Sequence, residues 1–425
     1  MGEPLAKDSD TRKLRRLREQ LPAVTATGYF NAGTNGPIAR VVHDAIVRKA
    51  EQELTQGRIV PGVYQDHAVQ ADKVRALLAR LLGGDPEEYA LTQSTNDGLN
   101  VALNGLDWNP GDEVITTSLE HPCLYMPLAL LSHRYGIKTR IAEIGDGAGD
   151  IAGAIARLIS PSTRVIALSH VLWSSGVIVD LATISAIARD SDLLLIVDGA
   201  QSAGHVGVDI PATGADAYTI SGQKWLGGPE GTGAVFIRRD RFTDFAPSSV
   251  RYGQYDPTGY FLPAPGARRY EMGENNPAAV DGFAAALTFL LEDVGTDWAF
   301  ARSGTLGARL LNGLSGADRI TIHSPEGRIG GLVCFNVTGL DPAAVADKLY
   351  DKGFTIRYVA APPGPTIARA SVGWWNTEEE VDALAAEIVS LGRASTSVAS
   401  PNGTAPGSEA LEKRPKKPRK PAKRT

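Results

Sequence analysis

Cysteine is scarce in this chain: two among 425 residues, Cys123 and Cys334. Two cysteines build no disulfide framework, and such usage suits a reducing compartment, so a cytoplasmic protein is expected. Neither cysteine has metal-ligand spacing, and the seven histidines include no His-Glu-x-x-His pair, so no metal is expected. No apolar run reaches the roughly 18 residues of a membrane span. The stretch 13–18, Lys-Leu-Arg-Arg-Leu-Arg, is too charged for a secretory signal. The glycine-rich stretch 227–233 lacks a following Gly-Lys-Ser/Thr and reads as a tight link between strands, not a phosphate loop. No internal repeat is found.

What is present is ordinary for a globular protein: 43% hydrophobic and 21% charged residues, in a chain long enough for two domains. The net charge of −5 hides an asymmetry. Residues 411–425 carry eight Lys or Arg and one Glu, which leaves the rest of the chain at −12. So much Pro and Lys buries no core, and 395–425 reads as a disordered basic tail. A solvated tail is the preferred reading over a nucleic-acid contact.

Between 85 and 240, short apolar runs at 89–92, 113–117, 164–169, 193–197, 217–220 and 233–237 alternate with helix-like spacing, as at 182–189. Such alternation predicts an α/β fold, a mostly parallel sheet covered on both faces, with ligands beyond the carboxyl ends of the strands. Ser94, His121, Asp198 and Ser221 fall at or just past those ends. An irregular stretch rich in Tyr and Pro follows from 241 to 275, then a helix over 278–291. Strands are expected at 331–337, 355–359 and 368–373, and a last helix opening on the capping box Thr377–Glu380. The boundaries read as an N-terminal helical segment (1–20), a large domain (21–295), a smaller C-terminal α+β domain (296–394) and the tail.

The chemistry is carried by a pair. Lys224 sits in Ser-Gly-Gln-Lys-Trp, 26 residues after a strand that runs into Asp198-Gly-Ala-Gln201. Pyridoxal phosphate (PLP) needs a lysine to hold it covalently and a carboxylate to keep its pyridine nitrogen protonated. Singly, each residue has a plain alternative, a solvated lysine and an Asp-Gly turn. The segment 91–100 is a strand ending in a polar turn that starts a helix, so Ser94, Thr95 and Asn96 lie at a helix N-terminus. That suits both a phosphate and a simple cap. His121 follows Glu120 after a strand, where an imidazole can lie on a cofactor ring, serve as an acid–base group, or sit hydrogen-bonded at the surface. Arg357 and Arg369 lie on neighbouring strands, and a guanidinium fork grips a carboxylate. Arg369, flanked by residues of a buried strand, is read as functional rather than as a surface ion pair.

Together these residues resemble the class V aminotransferase family, fold type I PLP enzymes that include cysteine desulfurases, cystine C–S lyases and isopenicillin N epimerase. The resemblance runs from about Tyr29 to the end of the last helix. It rests on Asp198-Gly-Ala-Gln201, Ser221-Gly-Gln-Lys224, Glu120-His121, Ser169-His-Val-Leu-Trp173 and Arg369-Ala-Ser. It implies that Lys224 carries the cofactor and shuttles the α-proton, and that Asp198 faces the pyridine nitrogen. Gln201 would approach the phenolic oxygen, and His121 would stack on the ring. Ser94, Thr95, Asn96, Ser221 and Gln223 would hold the phosphate, while Arg369 with Arg357 would take the substrate carboxylate. Asn35, within the 31–36 loop, would line the substrate mouth. A homodimer with sites at the subunit boundary is also implied.

Two departures bear on the reaction. Desulfurases carry a nucleophilic cysteine between the two arginine-bearing strands, and the interval 358–368 here has none. Where relatives have Gly-Thr facing a partner's phosphate, this chain has Gly273-Glu274. The resemblance to cystine and cysteine C–S lyases is greatest, at Leu17-Arg-Glu-Gln-Leu-Pro, Tyr29-Phe-Asn and His170-Val-Leu-Trp. The implied reaction is β-elimination of cysteine or an S-substituted cysteine to thiol, pyruvate and ammonia. Epimerisation, transamination and decarboxylating deamination are its alternatives at the same site.

Overall fold

The computed structural model describes residues 3–249, 251, 254, 258, 261–273, 275–360 and 366–394. The tail, Tyr252, Tyr255, Pro257, Tyr260 and Glu274 lie outside them.

A short strand β1 (Gly28–Tyr29) precedes a seven-stranded sheet. Its strands are β2 (Tyr89–Thr92), β3 (Glu113–Thr117), β4 (Lys138–Ala142), β5 (Thr163–Ser169), β6 (Leu194–Asp198), β7 (Ala217–Ser221) and β8 (Gly233–Ile237). The order is β2-β8-β7-β6-β5-β3-β4. Pairing is parallel from β4 through β7, and antiparallel where β8 joins β7 and β2. The apolar runs form strands because helices cover both faces: β2, β3, β7 and β8 are buried at every position. Each fully buried Leu, Ile or Val there contributes about 1.5–3 kcal/mol.

Strand β4, absent from the expectation, reads Lys-Thr-Arg-Ile-Ala and lies at the sheet edge with Ile141 exposed. An edge strand has one bonded neighbour and tolerates polar residues on its open side, so no apolar run marked it.

Short side chains start the intervening helices. Ser94 accepts from Asp97 N at the head of Thr95–Asn104, and Asp180 from Thr183 N at the head of Leu181–Asp190. The helix beginning at Pro122 is capped by His121 itself. The carboxyl end of the sheet is thus lined by helix N-termini, where the polar residues converge.

The second sheet is antiparallel: β9 (Ile320–Ile322), β10 (Leu332–Val337), β12 (Arg357–Ala360) and β13 (Thr366–Ser371), in the order β12-β13-β10-β9. It packs through Phe335, Val337 and Ala370 against Leu306, Leu310 and Leu314 of helix Thr296–Leu314 and Leu384 and Ile388 of helix Glu378–Ala394. The capping box forms, Thr377 N donating to Glu380 and Glu380 N to Thr377, both at 3.1 Å. The single strand expected at 355–359 is two: β11 (Phe354–Thr355) pairs with β1, and β12 pairs with β13. Ser371 N donates to Phe30 O and Trp375 Nε1 to Tyr29 O. The segment 28–30 is therefore stitched to the second sheet immediately before the chain enters the 31–36 loop.

The expected helix at 278–291 is Pro277–Thr288 followed by one π-helical segment, Phe289–Val294.

Candidate active site

Asp198 ends β6, and the parallel register sets it beside Thr219 of β7. The carboxylate is buried, and its Oδ1 accepts from Ala200 N (2.9 Å) and from Thr95 Oγ1 (3.1 Å). Thr95 in turn shares a 2.6 Å hydrogen bond with Thr219. Helix Thr95–Asn104, β6 and β7 thus fix this carboxylate from three sides. No cation pairs with it among the described residues, and a buried carboxyl group without one is open to a cationic ligand.

Lys224 lies just past β7. Burial is the main influence on its amine and lowers its pKa, Asp198 raises it, and Arg369 lowers it further. No hydrogen bond or ion pair reaches the amine among the described residues. Beside it, Ser221 Oγ and Gln223 Oε1 are buried without a partner. Orphaned polar atoms of this kind cost free energy unless a ligand completes them. The 31–36 loop closes over this segment: Gly36 N donates to Gln223 O at 2.8 Å, and Tyr29 Oη donates to Asn35 O at 2.8 Å.

His121 is positioned by Glu120. That carboxylate accepts from Thr117 Oγ1 (2.6 Å), Ser169 N (2.9 Å) and Ser169 Oγ (2.5 Å), tying the ends of β3 and β5 together. His121 Nδ1 accepts from Cys123 N at 3.1 Å, which leaves the ring proton on Nε2. Burial pushes its pKa down to about 4, helped by Lys224, Arg369 and Arg357 and opposed by Asp198. The ring stands edge-on to Trp173, centroids 4.6 Å apart, and is neutral at ordinary pH.

Arg369, in the middle of β13, is 2% exposed. Its Nη1 donates to Trp173 O at 3.2 Å and its Nη2 to Thr34 Oγ1 at 3.3 Å, while Nε has no partner. Burial lowers its pKa to about 10. Asn31 Oδ1 and Ser371 Oγ are also buried without partners. Arg357 is its direct partner on β12 and is exposed. Cys334, opposite Arg369 on β10, is wholly buried and its thiol is pushed up to about 12 by burial, consistent with a core residue.

Two of the residues given cofactor or substrate roles by the resemblance make contacts within the protein. The Thr95 hydroxyl bonds Asp198 and Thr219, because the first turn of its helix packs directly on β6 and β7. Asn35 turns outward, its amide donating to Glu230 at 2.7 Å. Ser94 serves as the cap, and Asn96 is half-buried on the first turn of the same helix. Gln201 is held at both ends, Nε2 donating to Gly33 O (2.8 Å) and Oε1 accepting from Trp225 Nε1 (2.9 Å). One amide N–H remains for a ligand.

Three supporting residues escaped the sequence reading. Thr219 is set beside Asp198 by the parallel register, which only the structure shows. Trp225 holds Gln201 and stacks on buried His205 at 3.7 Å. Cys123, half-buried, lies within electrostatic reach of Lys224 and Asp198. Its thiol is raised, chiefly by burial.

A carboxyl group without a cation, a lysine without an anion and two unpartnered polar atoms beside it, all among the described residues, fit PLP. Asp198 would face the pyridine nitrogen, Lys224 would hold the aldehyde carbon, and Ser221, Gln223 and the helix N-terminus at Ser94 would hold the phosphate.

The family model described as aminotransferase class-V matches residues 29–384. A probable cysteine desulfurase of Methanothermobacter thermautotrophicus is 26% identical over 388 residues, 87% of this chain and 95% of the relative. Isopenicillin N epimerase of Streptomyces clavuligerus is 28% identical over 385 residues, 85% of this chain and 94% of the relative. Among solved structures, a cystine C–S lyase in complex with its reaction product cysteine persulfide aligns with a TM-score of 0.82 at 28% identity. That alignment covers 87% of this chain and 99% of the other.

Proposed function

This chain belongs to the class V aminotransferase family, as a PLP-dependent enzyme of fold type I, and from that premise we propose that it is a C–S lyase. Its reaction is β-elimination of cysteine or an S-substituted cysteine to thiol, pyruvate and ammonia. Bound PLP supplies an electron sink that acidifies the substrate's Cα–H.

The chain's own residues do the rest. Arg369 binds the α-carboxylate: a buried guanidinium with one nitrogen unpartnered and only neutral acceptors gains most from an anion. Lys224 takes the Cα proton, and its lowered pKa makes the free base more accessible than for a solvated lysine. Asp198 is oriented by Thr95 and Ala200, which both donate to its Oδ1. Neutral His121 presents Nε2–H as a hydrogen bond to the departing sulfur, and the proton that Lys224 took from Cα passes to that sulfur to complete the thiol. The Cα–H and Cβ–S bonds break, a C=C bond forms, the thiol leaves, and the released enamine hydrolyses.

The observation that carries elimination over desulfuration is the 358–368 interval. It has no cysteine to accept sulfur, while Lys224, Asp198 and Arg369 are all in place. The test is to incubate the holoenzyme with a panel of S-substituted cysteines and measure pyruvate and free thiol together. Equal amounts of both support the lyase; neither product from any member defeats it. Epimerisation is the second reading, favoured by the isopenicillin N epimerase relative. Deuterium entry at Cα without thiol release would select it. A homodimer in the cytoplasm belongs to the same proposal, and sedimentation of the holoenzyme tests the dimer.

A further inference from the structure

We propose that His205 is a positioning residue that ties the sheet carrying Arg369 to Gln201 and Trp225 beside the cofactor. The inference rests on reading Gln201 and Lys224 as cofactor contacts, and not on which reaction follows. His205 lies four residues beyond Gln201, is 1% exposed, and has both ring nitrogens bonded to backbone groups. A carbonyl can only accept and an amide N–H can only donate, so these partners dictate the tautomer. Nδ1–H donates to Gln201 O at 2.8 Å, and Nε2 accepts from Gly331 N. An imidazolium would set a second N–H against that amide, and burial lowers the ring's pKa to about 4. The ring is a neutral connector with two fixed ends.

Its face makes a third contact. His205 stacks on Trp225 with centroids 3.7 Å apart and planes 4° from parallel, and Trp225 Nε1 donates to Gln201 Oε1 at 2.9 Å. Gln201 is thus held through its main chain by His205 and through its side chain by Trp225, the residue after Lys224. The other end of the imidazole reaches the second sheet. Gly331 immediately precedes β10, and its carbonyl accepts from Val372 N at 2.7 Å, just past the end of β13 that carries Arg369. This approach needs glycine: a Cβ on Gly330 would lie 2.5 Å from Nε2 and 2.7 Å from Cε1 of His205. A leucine or phenylalanine at 205 would fill the same space but strand the Gly331 N–H without an acceptor. Gln201 would then be free to drift, and the amide N–H it has left for a ligand would lose its aim. An N–H donated to the phenolic oxygen makes the neighbouring Lys224 nitrogen a weaker base, so drift raises the pH at which the bound cofactor's visible absorbance changes.

The experiment titrates that absorbance in the holoenzyme and follows hydrogen exchange over 329–333. His205→Phe keeps a flat ring on Trp225 and removes both hydrogen bonds. Gly330→Ala leaves every cofactor-side residue intact and pushes the sheet off Nε2, and it serves alone if His205→Phe does not fold. The titratable and charged groups that face Lys224, namely Asp198, Arg369, Cys123 and His121, are unchanged in both. Each variant is expected to raise the absorbance midpoint by about 0.5–1 pH unit, the size of one lost hydrogen bond. Exchange of the Gly331 amide should quicken about tenfold. The double variant should shift the midpoint no further than His205→Phe alone, because both cut the same tie. A wild-type midpoint in either folded variant overturns the inference even where its urea midpoint falls, since His205 would then serve stability alone. Unchanged exchange in His205→Phe overturns it as well. If borohydride reduction of the wild type leaves Lys224 unlabelled, the cofactor reading fails and takes the inference with it; a labelled Lys224 with an unmoved midpoint sinks the inference alone.

Discussion

Two glycines in the 31–36 loop touch opposite halves of the site, and replacing each by alanine should impair different kinetic constants. A Cβ built on Gly36 would lie 2.2 Å from the carbonyl oxygen of Lys224 and 3.3 Å from its carbonyl carbon. Ordinary contact needs about 3.2 Å or more, so loop or lysine must retreat by about 1 Å. Both are backbone, and the Gly36 N–H is bonded to Gln223 O, so neither retreats freely. Overpacking of this kind costs about 1–3 kcal/mol of stability. A misplacement of about 1 Å in a catalytic group lowers turnover by about 10²-fold. A Cβ on Gly33 would instead meet Ser371 Oγ at 2.7 Å and Arg369 Nη2 at 3.0 Å. Gly33→Ala should therefore raise KM about tenfold through Arg369, with a smaller fall in kcat. Gly207, exposed with nothing within 4 Å of its Cβ position, is the control, and Gly207→Ala should change neither constant. The assay is thiol release at varied substrate, alongside the visible absorbance of the bound cofactor. Wild-type kcat and absorbance in folded Gly36→Ala would refute the contact between loop and lysine segment. A fall in kcat alone for Gly33→Ala would refute the assignment of that glycine to the carboxylate end.

Thr219→Val removes the hydroxyl that holds Thr95 against Asp198 and should cost about 1 kcal/mol of positioning, near a fivefold drop in kcat, with KM unchanged. Spectrophotometric turnover checks it, and an unchanged kcat rejects the relay. Cys123→Ala should keep thiol release within about twofold, because a thiol raised by burial is a poor nucleophile; loss of activity with a persulfide on Cys123 in the wild type would reverse that. Burial lowers His121, His170 and His205 to about 4 each. The unfolded chain therefore binds more protons between about pH 6.5 and 4, and stability falls as pH drops through that window. Glu120, pushed up to about 7 mainly by burial, acts oppositely and offsets roughly one histidine. The urea midpoint at pH 5 should lie below that at pH 7, and equal midpoints would contradict the burial of these rings. Arg369→Met should abolish substrate binding yet raise the urea midpoint by about 1 kcal/mol or more of stability, since it removes a buried charge without a counterion; a lowered midpoint would show that the two long hydrogen bonds outweigh desolvation.

The sheet was legible where burial on both faces forces a continuous apolar run, as at Thr163–Ser169 and Gly233–Ile237. It was illegible where a strand has a neighbour on one side only. Lys138–Ala142 presents lysine and arginine at the edge, and Ile320–Ile322 closes the small sheet with two half-exposed isoleucines flanking exposed Thr321. The break at Ile356 was equally hidden. A run from 354 to 360 looks uniform in sequence, and only the arrival of β1 from over 300 residues away makes its first two residues pair elsewhere.

For the site, residue type picked out Lys224, Asp198, His121 and Arg369 as candidates, the first three also by position at or just past a strand end, because each chemistry admits few side chains. Side-chain direction was not legible. Ser94, Thr95 and Asn96 are three consecutive polar residues, and a helix turn of about 100° per residue sends them to different surroundings. Thr95 faces inward onto Asp198 while Ser94 caps from the rim. Sequence ranks such neighbours alike; the packing of the first helical turn on β6 and β7 separates them. The same limit explains Asn35, whose amide points out to Glu230, while Gly33, without any side chain, lies against Arg369. In that loop the residues nearest the chemistry are the ones that carry least of their own. Their smallness allows Gly33 and Gly36 to pack against Arg369 and the Lys224 carbonyl, joining the carboxylate end of the site to its lysine.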